Sequence, residues 1–193
     1  MYISRINTIE KEVADVYALH QWIWQGFGGK DMDQKRNFLF RVETFARKRA
    51  VILIQSLEKP RWEGVFPIED VEMKSYEPAF EKDRSYQFMI HASASFTKPR
   101  GPNKKSIRLP LKPGQYENWF AKQGESKGFK PLAVVRAHDI SVKSRKKKKM
   151  NISGQIMSGV LRVEDPEIFL PAYRDGIGRA RGFGFGMLSL IKV

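Results

Sequence analysis

Short apolar segments follow one another along this chain, and their spacing switches between the period of a strand and that of a helix. Between Arg84 and Phe96 the even positions from 88 to 96 are apolar, and the odd positions His91, Ser93 and Ser95 are polar. This alternation predicts a strand with one buried face and one solvent-exposed face. In residues 13–27 the apolar side chains fall three or four apart and predict one stripe of an amphipathic helix. A chain of 193 residues with such short elements has room for one large domain or two small ones.

The order of the elements narrows the fold further. We predict strands at 2–9, 37–45, 50–57, 65–76, 84–96, 132–142, 150–163 and 183–193, and helices at 13–27, 116–122 and 166–174. The second half then has the split β-α-β-β-α-β order of a ferredoxin-like domain. The first half matches that order if residues 58–64 form a short second helix. We therefore expect an α+β protein of two tandem ferredoxin-like (RRM-like) domains, residues 1–80 and 84–193.

The balance of charge points to a polyanionic partner. The chain has 35 Lys and Arg against 21 Asp and Glu, a net charge of +14, which favours nucleic acid first and an anionic membrane second. The longest apolar run, residues 50–54, is too short to span a bilayer, and residues 1–11 lack the apolar stretch of a signal peptide. We expect a cytoplasmic protein without a membrane partner. With no cysteine and three histidines, we expect no catalytic metal and no cofactor.

Three basic segments in the second half carry the predicted nucleic-acid contacts. The first lies between Phe96 and Tyr116 and contains no acid; the second is a lysine-rich run between two predicted strands; the third lies near the end of the sequence. The candidate RNA-binding residues are Lys98, Arg100, Lys104, Lys105, Arg108, Lys143, Arg145, Lys146, Lys147, Lys148, Lys149, Arg179 and Arg181. We interpret the lysine-rich run as a hairpin tip that enters a nucleic-acid groove, against the alternative of a solvated loop.

A glycine-rich segment covers residues 176–186. Its glycines are Gly176, Gly178, Gly182, Gly184 and Gly186. Such a segment lets backbone amides approach phosphate, but it is equally typical of a tight turn between a helix and a strand. The segment also resembles the start of an RNA-recognition fingerprint. Because only eight residues follow Phe185, we expect Phe183 and Phe185 to share a buried strand face instead of stacking on bases.

Tyr17 and His20 are the candidate catalytic pair. They are three residues apart, so a helix presents both on one side. Cleavage of RNA without a metal needs a base for the ribose 2′-hydroxyl and an acid for the leaving 5′-oxygen, and an imidazole can serve as either. The alternative is that His20 packs in the apolar stripe. For His91 and His138 we favour surface or packing roles.

Several of these segments resemble one family. They are Tyr17-x-x-His20, residues 38–43, the strand 51–56, and the closing Gly-hydrophobic-Gly pattern with Arg181, Gly184, Gly186 and an apolar tail. The sequence is similar, from Met1 to Val193, to the CasE family of precursor-crRNA-processing endoribonucleases of type I-E CRISPR systems, in the RAMP superfamily. It departs from the family at Gly182, where a bulkier residue is common, and in the density of its lysines.

The resemblance implies a tandem ferredoxin-like RAMP fold that binds the hairpin of a CRISPR repeat RNA. It implies one metal-independent cut at the 3′ base of the hairpin, with His20 moving the proton and Tyr17 assisting, and products ending in a 2′,3′-cyclic phosphate and a 5′-hydroxyl. The enzyme, a monomer when free, would stay on its crRNA and join the other Cascade subunits, especially the backbone subunit that coats the crRNA. The alternatives are a noncatalytic subunit that binds RNA hairpins and, more remotely, a basic structural protein of a ribosome-like particle.

Overall fold

The computed structural model describes residues 1–9, 13–29, 35–44, 48–101, 105–144 and 150–193, apart from the side chains of Arg136, Ala137 and Met150. The elements are β1 (Tyr2–Ile9), α1 (Val16–Gln25), β2 (Phe38–Thr44), β3 (Arg49–Ser56), β4 (Val71–Ser75), β5 (Ser85–Ala92), β6 (Ser95–Lys98), β7 (Ile107–Pro110), α2 (Tyr116–Lys127), β8 (Phe129–Ser144), β9 (Met150–Val163), α3 (Pro166–Asp175) and β10 (Leu188–Lys192). No helix within these ranges is long and apolar enough to cross a membrane.

Two four-stranded antiparallel sheets form the framework. The first has the order β2-β3-β1-β4 and the second β10-β5-β9-β8. Within each half, the strand order is therefore second, third, first, fourth, which is the order of a ferredoxin-like sheet. The prediction of an α+β protein with tandem ferredoxin-like units is confirmed, while the boundary between residues 80 and 84 stays a prediction.

Each sheet covers its own apolar core. Helix α1 buries Val16, Leu19, Ile23 and Trp24 on the first sheet, against a cluster that includes Phe40. In the second half, the core gathers aromatic side chains from α2, α3 and the sheet. They are Tyr86, Phe88, Tyr116, Phe120, Phe129, Phe169 and Tyr173. Burial of these large rings contributes to the hydrophobic stabilisation of that half, together with aliphatic side chains such as Leu161 and Ile177.

Residues 58–64 are not a helix, which corrects the prediction for the first half. Pro60 has no amide hydrogen and holds the preceding residue in an extended conformation. The amide of Arg61 donates to the carbonyl of Gly26 at 2.8 Å, so this segment bonds to the end of α1. The Trp62 ring lies over Gly26, and its N–H donates to Ser4 Oγ at 2.9 Å. Residues 58–64, with the buried indole of Trp62, thus occupy the place where a second helix was predicted.

The strand predicted at 84–96 follows its alternation only as far as Ile90. Gln87 and Met89 are exposed as expected, but His91 is 4% exposed and Ser93 is also buried. The wet face predicted for this end is wrong, because the carbonyl of His91 accepts a hydrogen bond from Gly186 and the first sheet packs over the imidazole side. The sheet strand ends at Ala92, and the chain continues as the separate strand β6.

The last strand also begins later than predicted. Residues 181–183 form a turn of 3₁₀ helix, and β10 starts at Leu188. Phe183 and Phe185 therefore do not share a strand face. Phe185 is fully buried beside Gly154, whereas Phe183 is half-buried on the side of α1.

Polar contacts join the two sheets across a junction at β2. Arg41, which is 3% exposed, donates to Ser189 Oγ on β10 at 3.0 Å and forms an ion pair with Glu43 at 2.6 Å. Gln55 donates to the carbonyl of Tyr173 at 3.1 Å. Buried polar groups cost free energy unless they are paired, so these contacts fix one arrangement of the halves.

The pH dependence of stability tests this junction through His91. Burial first, then the positive charge of Arg41 and the neighbouring His138, lowers the pKa of His91 from 6.5 to about 3. Between these values the unfolded chain holds a proton that the folded chain lacks, so acidification destabilises the fold. We expect this histidine alone to remove up to about 1.4 kcal/mol of unfolding free energy per pH unit below 6.5.

The measurement is urea unfolding between pH 7 and pH 4 for the wild type and His91→Gln. The variant keeps a polar side chain but cannot titrate, so its free energy of unfolding should fall less steeply with acid. Equal slopes for the two proteins would show that His91 is not held neutral at the junction.

Candidate active site at the junction

Helix α1 brings the two predicted catalytic residues to the junction. Its N-cap is Asp15, whose carboxylate accepts from the amides of Tyr17 and Ala18 at 3.0 and 3.1 Å. This cap fixes where the helix begins. The apolar face of α1 is turned to the first sheet, and Tyr17 and His20 follow on its flank as half-buried residues. The helix therefore has a well-defined start, and this start supports the prediction that Tyr17 and His20 lie on one side of it.

The His20 ring lies in an aromatic pocket. Trp24, one turn later on the same helix, donates its indole N–H to Nε2 of His20 at 3.1 Å. The centroids of Phe38 and Phe183 lie 6.1 and 5.5 Å from the imidazole centroid. Because Trp24 can only donate, Nε2 accepts, and in the neutral ring this places the hydrogen on Nδ1. The pocket thus fixes both the orientation and the tautomer of the imidazole.

Gly182 brings an arginine next to this ring. A Cβ atom on Gly182 would lie 3.0 Å from Nη1 of Arg36 and 3.3 Å from Cε1 of His20. Guanidinium and imidazole therefore approach the same point of the backbone, and any side chain at this position would press on one of them. Arg36 is held there by its Nε, which donates to the carbonyl of Phe38 at 2.8 Å. Burial first, and then the charge of Arg181, lowers the pKa of Arg36, while Asp175 acts in the opposite sense.

The glycine-rich segment is a packing device. Gly176 and Gly186 have φ of 80° and 85°, and a Cβ on either would lie within 3.0 Å of a carbonyl of the other strand of the turn. Amides of the segment are used internally: Ile177 donates to Gly186 and Phe183 to Ala180, at 2.9 and 2.8 Å. This favours the tight turn over the phosphate cradle, although the segment still brings Gly182 and its arginines to the site.

The two arginines of this segment differ in their surroundings. Arg181 donates from Nη1 to the carbonyls of Asp175 and Gly176 at 2.7 and 3.4 Å, so it caps the end of α3. It also lines a basic cleft beside Arg36. Arg179 is exposed, and its amide donates to Ser93 at 2.8 Å. Arg181 therefore combines a structural role with a position at the site.

An apolar cleft of about 350 Å³ leads from the site to the long hairpin β8–β9. Its walls include Val16 of α1, Val42 of β2, Phe183 and, at the hairpin, Val142 and Lys143. Since Phe183 also contacts the imidazole, the cleft connects the base of the lysine-rich run with the His20 pocket. Ser144 and Met150 are register partners on either side of that run. Residues 145–149 lie outside the described residues.

The first basic segment is built on a two-stranded ribbon, where the sequence analysis predicted no strand between residues 96 and 132. Strands β6 and β7 pair with Thr97 opposite Arg108 and Lys98 opposite Ile107. Lys98, Arg100, Lys105 and Arg108 are all exposed. Lys104 lies outside the described ranges. Lys98 and Arg108 thus lie on the paired strands, whereas Arg100 and Lys105 lie between them in the chain.

Two residues of the site were missed by the sequence analysis. Trp24 has a clear signal, because a position four residues after His20 faces it on a helix. No sequence signal points to Arg36, because Arg36 and His20 come together at Gly182, which lies 146 positions after Arg36 in the chain. Within the described part of the chain, no three His, Asp or Glu side chains gather in a way that could hold a metal ion.

The tautomer of His20 can be tested directly. Trp24→Phe keeps an aromatic ring but removes the only hydrogen that the indole can donate. We expect the wild type, at a pH where imidazole is neutral, to carry its hydrogen on Nδ1, and the variant to shift towards the Nε2–H form. Two-bond ¹H–¹⁵N NMR spectra of the imidazole distinguish the forms, and an unchanged wild-type pattern in the variant would contradict the role of Trp24.

Comparison with known proteins agrees with this architecture. The chain is 26% identical over 202 residues to the CRISPR-associated endoribonuclease Cse3 of Thermus thermophilus, covering 93% of this chain and 92% of that protein. It is 28% identical over 204 residues to the Cascade subunit CasE of Escherichia coli, covering 98% of each. A solved Cse3 bound to a 19-nucleotide RNA has the same fold, with a TM-score of 0.78 at 21% identity over 99% of this chain and 100% of that one.

A family model described as "CRISPR associated protein" matches residues 1–192. The resemblance to CasE found in the sequence is confirmed by these relatives. Because the matched region runs through both sheets and contains every element of the site, the chain belongs to this family of CRISPR-associated proteins.

Proposed function

We propose that this protein is an endoribonuclease that processes precursor crRNA by cutting at the 3′ base of the CRISPR repeat hairpin. The observation that carries the proposal is the half-buried imidazole of His20, which Trp24 holds at the junction, beside Arg36 and next to the cleft that runs to the base of the lysine-rich run. The names of the two relatives, one an endoribonuclease and one a Cascade subunit, support the same activity.

The reaction is an internal transfer at phosphorus. The ribose 2′-oxygen attacks the neighbouring phosphorus and loses its proton to a base. The bond from phosphorus to the 5′-oxygen breaks, and that oxygen takes a proton from an acid. One strand then ends in a 2′,3′-cyclic phosphate and the other in a 5′-hydroxyl, with no water consumed and no metal required.

His20 is the proton-transfer group in this scheme, and Tyr17 assists it. When the imidazole takes a proton on Nε2, the indole N–H of Trp24 gives up its hydrogen bond to that nitrogen. The hydrogen bond from Trp24 orients the ring, and the aromatic walls of Phe38 and Phe183 limit its rotation. Orientation of a reacting group lowers the entropic part of a barrier before the substrate arrives. The nearby guanidinium of Arg36 adds positive charge where the five-coordinate phosphorus becomes more negative.

The RNA hairpin lies on the basic side of the second half in this proposal. The ribbon cations Lys98 and Arg108 and the hairpin lysine Lys143 are exposed and have no ion pair among the described residues. The lysine-rich run, by the sequence prediction, adds further phosphate contacts. Contacts with phosphates fix the register of a nucleic acid, and the register places one linkage at His20. The product stays bound and joins the other Cascade subunits, foremost the one that coats the crRNA.

Replacement of His20 by alanine tests the catalytic assignment. We expect the affinity for a repeat hairpin to stay within a few-fold of wild type, because the cations bind it, while single-turnover cleavage falls by about 10²–10⁴. A 2′-deoxy nucleotide before the cut should block the wild type, and EDTA should not.

The matched control is His138→Ala, which removes an exposed imidazole from β8. It should cleave like the wild type. Cleavage by His20→Ala at the wild-type rate would remove the catalytic assignment. Binding without cleavage by the wild type would leave the alternative of a noncatalytic hairpin-binding subunit.

The salt dependence of binding tests the lysine-rich run. Replacing Lys146, Lys147, Lys148 and Lys149 by glutamine should weaken binding of every RNA hairpin and flatten the plot of log affinity against log salt by about one unit per lost phosphate contact. As a control, four glutamines at the dispersed lysines 59, 74, 82 and 127 should leave the slope nearer to the wild-type value. Equal flattening by the two variants would mean that only net charge matters and that the run is a solvated loop.

A further inference from the structure

A second cleft, of about 310 Å³, is lined by Arg36, the arginine that approaches Gly182 beside His20. It lies where the start of β2, the end of β3 and the end of α3 meet. Its charged lining residues are Lys35, Arg36, Arg174, Arg181 and Asp175. Four cations thus share a cleft with one carboxylate, and of these only Arg36 has been given a part in the proposed reaction.

The cations of the cleft keep donors available. Arg36 uses Nε on the carbonyl of Phe38, and Arg181 uses Nη1 on the carbonyls at the end of α3. Neither arginine forms an ion pair within the residues that the structure describes; Arg174 pairs with Glu77 at 3.6 Å. A guanidinium has five N–H groups, so Arg36 and Arg181 both have donors left for another acceptor.

The electrostatics of the free cleft are unfavourable. Arg36 is partly buried, and burial together with the charge of Arg181 lowers its pKa, although an arginine remains protonated at neutral pH. Two like charges in a partly dehydrated cleft repel each other more strongly than at an open surface. An anion between them would relieve this repulsion and accept paired hydrogen bonds, which is the arrangement that guanidinium groups form with phosphate.

The position of the cleft identifies the anion. Nη1 of Arg36 and the imidazole edge of His20 both lie close to the backbone of Gly182. A strand whose reacting linkage lies at His20 therefore has a neighbouring phosphate within reach of Arg36. A cleft of about 310 Å³ is too small to admit a nucleic-acid duplex, whereas one phosphodiester of an unpaired strand fits into it.

We propose that this cleft binds a single RNA phosphodiester, the neighbour of the linkage cut at His20, with Arg36 as its principal ligand. The proposal rests on the proposed function and extends it with a separate phosphate subsite. Arg181 holds the second side of the phosphate, and Lys35 at the rim adds charge. The subsite aligns the unpaired strand beside the hairpin, so it determines which linkage reaches the imidazole.

The test combines one protein change with one RNA change. Repeat hairpins carry a neutral methylphosphonate at one linkage at a time, on either side of the cut, and a 2′-deoxy nucleotide at the cut prevents cleavage. Affinities are measured for the wild type, Arg36→Gln and the control Arg5→Gln, whose arginine is exposed on β1 and paired with Glu72. Arg36→Lys is the second variant, because it keeps the charge if the glutamine disturbs the fold.

We expect one methylphosphonate next to the cut to weaken binding by the wild type about tenfold or more, as for loss of a charge-assisted contact. Arg36→Gln should weaken binding of unmodified RNA to the same extent and be insensitive to that methylphosphonate. Arg36→Lys should retain part of the sensitivity, and Arg5→Gln all of it. In single-turnover reactions on cleavable RNA, Arg36→Gln should also cut at more than one linkage.

The proposal is overturned if, at every linkage, the loss of affinity caused by the methylphosphonate multiplies with the loss caused by Arg36→Gln. It is also overturned if Arg36→Gln and Arg36→Lys both bind and cut like Arg5→Gln. Thermal unfolding of each variant shows whether the fold is kept. Failure of the proposed function is a separate result: a wild type that cuts no repeat RNA removes the nuclease, while the binding measurements on uncleavable RNA still decide whether Arg36 holds a phosphate.

Discussion

The glycine-rich segment between the two sheets is the contact on which the site depends. It enters the junction after α3, bonds to the end of β5 through the amide of Gly186, and presses against Leu39 and Phe40 of β2. No residue with a Cβ fits at Gly176 or Gly186 without displacing a backbone carbonyl. The close approach of three backbones therefore brings an imidazole from the first half next to a turn from the second. Without this packing, His20 would be one more partly buried helix residue.

At the same junction, three nitrogen-containing side chains, those of His91, Arg36 and His20, lie in different environments. On one side, burial and then the charge of Arg41 lower the pKa of His91, which favours its neutral form. On the other side, Arg36 remains charged and partly open to a cleft. His20 is half-buried and, like Arg36, lies beside Gly182. Three nitrogen-containing side chains within one interface thus have three different roles, and the depth of burial decides which group can meet a substrate.

The sequence predicted those parts of the fold that depend on local pattern. The amphipathic stripe gave α1, the paired apolar runs gave the hairpins, and element order gave the tandem sheets. It failed at residues 58–64, because a proline and a buried tryptophan replaced a helix, and at His91, because a distant sheet covered a face that alternation marks as wet. Trp24 could have been found from helical spacing. Arg36 could not, since its position follows from a turn far along the chain.

A site at a junction has a consequence for binding and catalysis. The groups proposed to bind RNA lie mainly in the second half, and the group proposed to move the proton lies in the first. Binding free energy gained on the ribbon and the β8–β9 hairpin can therefore orient the linkage at His20 only if the halves keep one relative position. The buried bonds from Arg41 to Ser189 and from Gln55 to Tyr173 impose that position at little cost, because each satisfies groups already removed from water. Weakening them should loosen the placement of the linkage more than the grip on the RNA, so the cleavage rate is more sensitive to this interface than the affinity is.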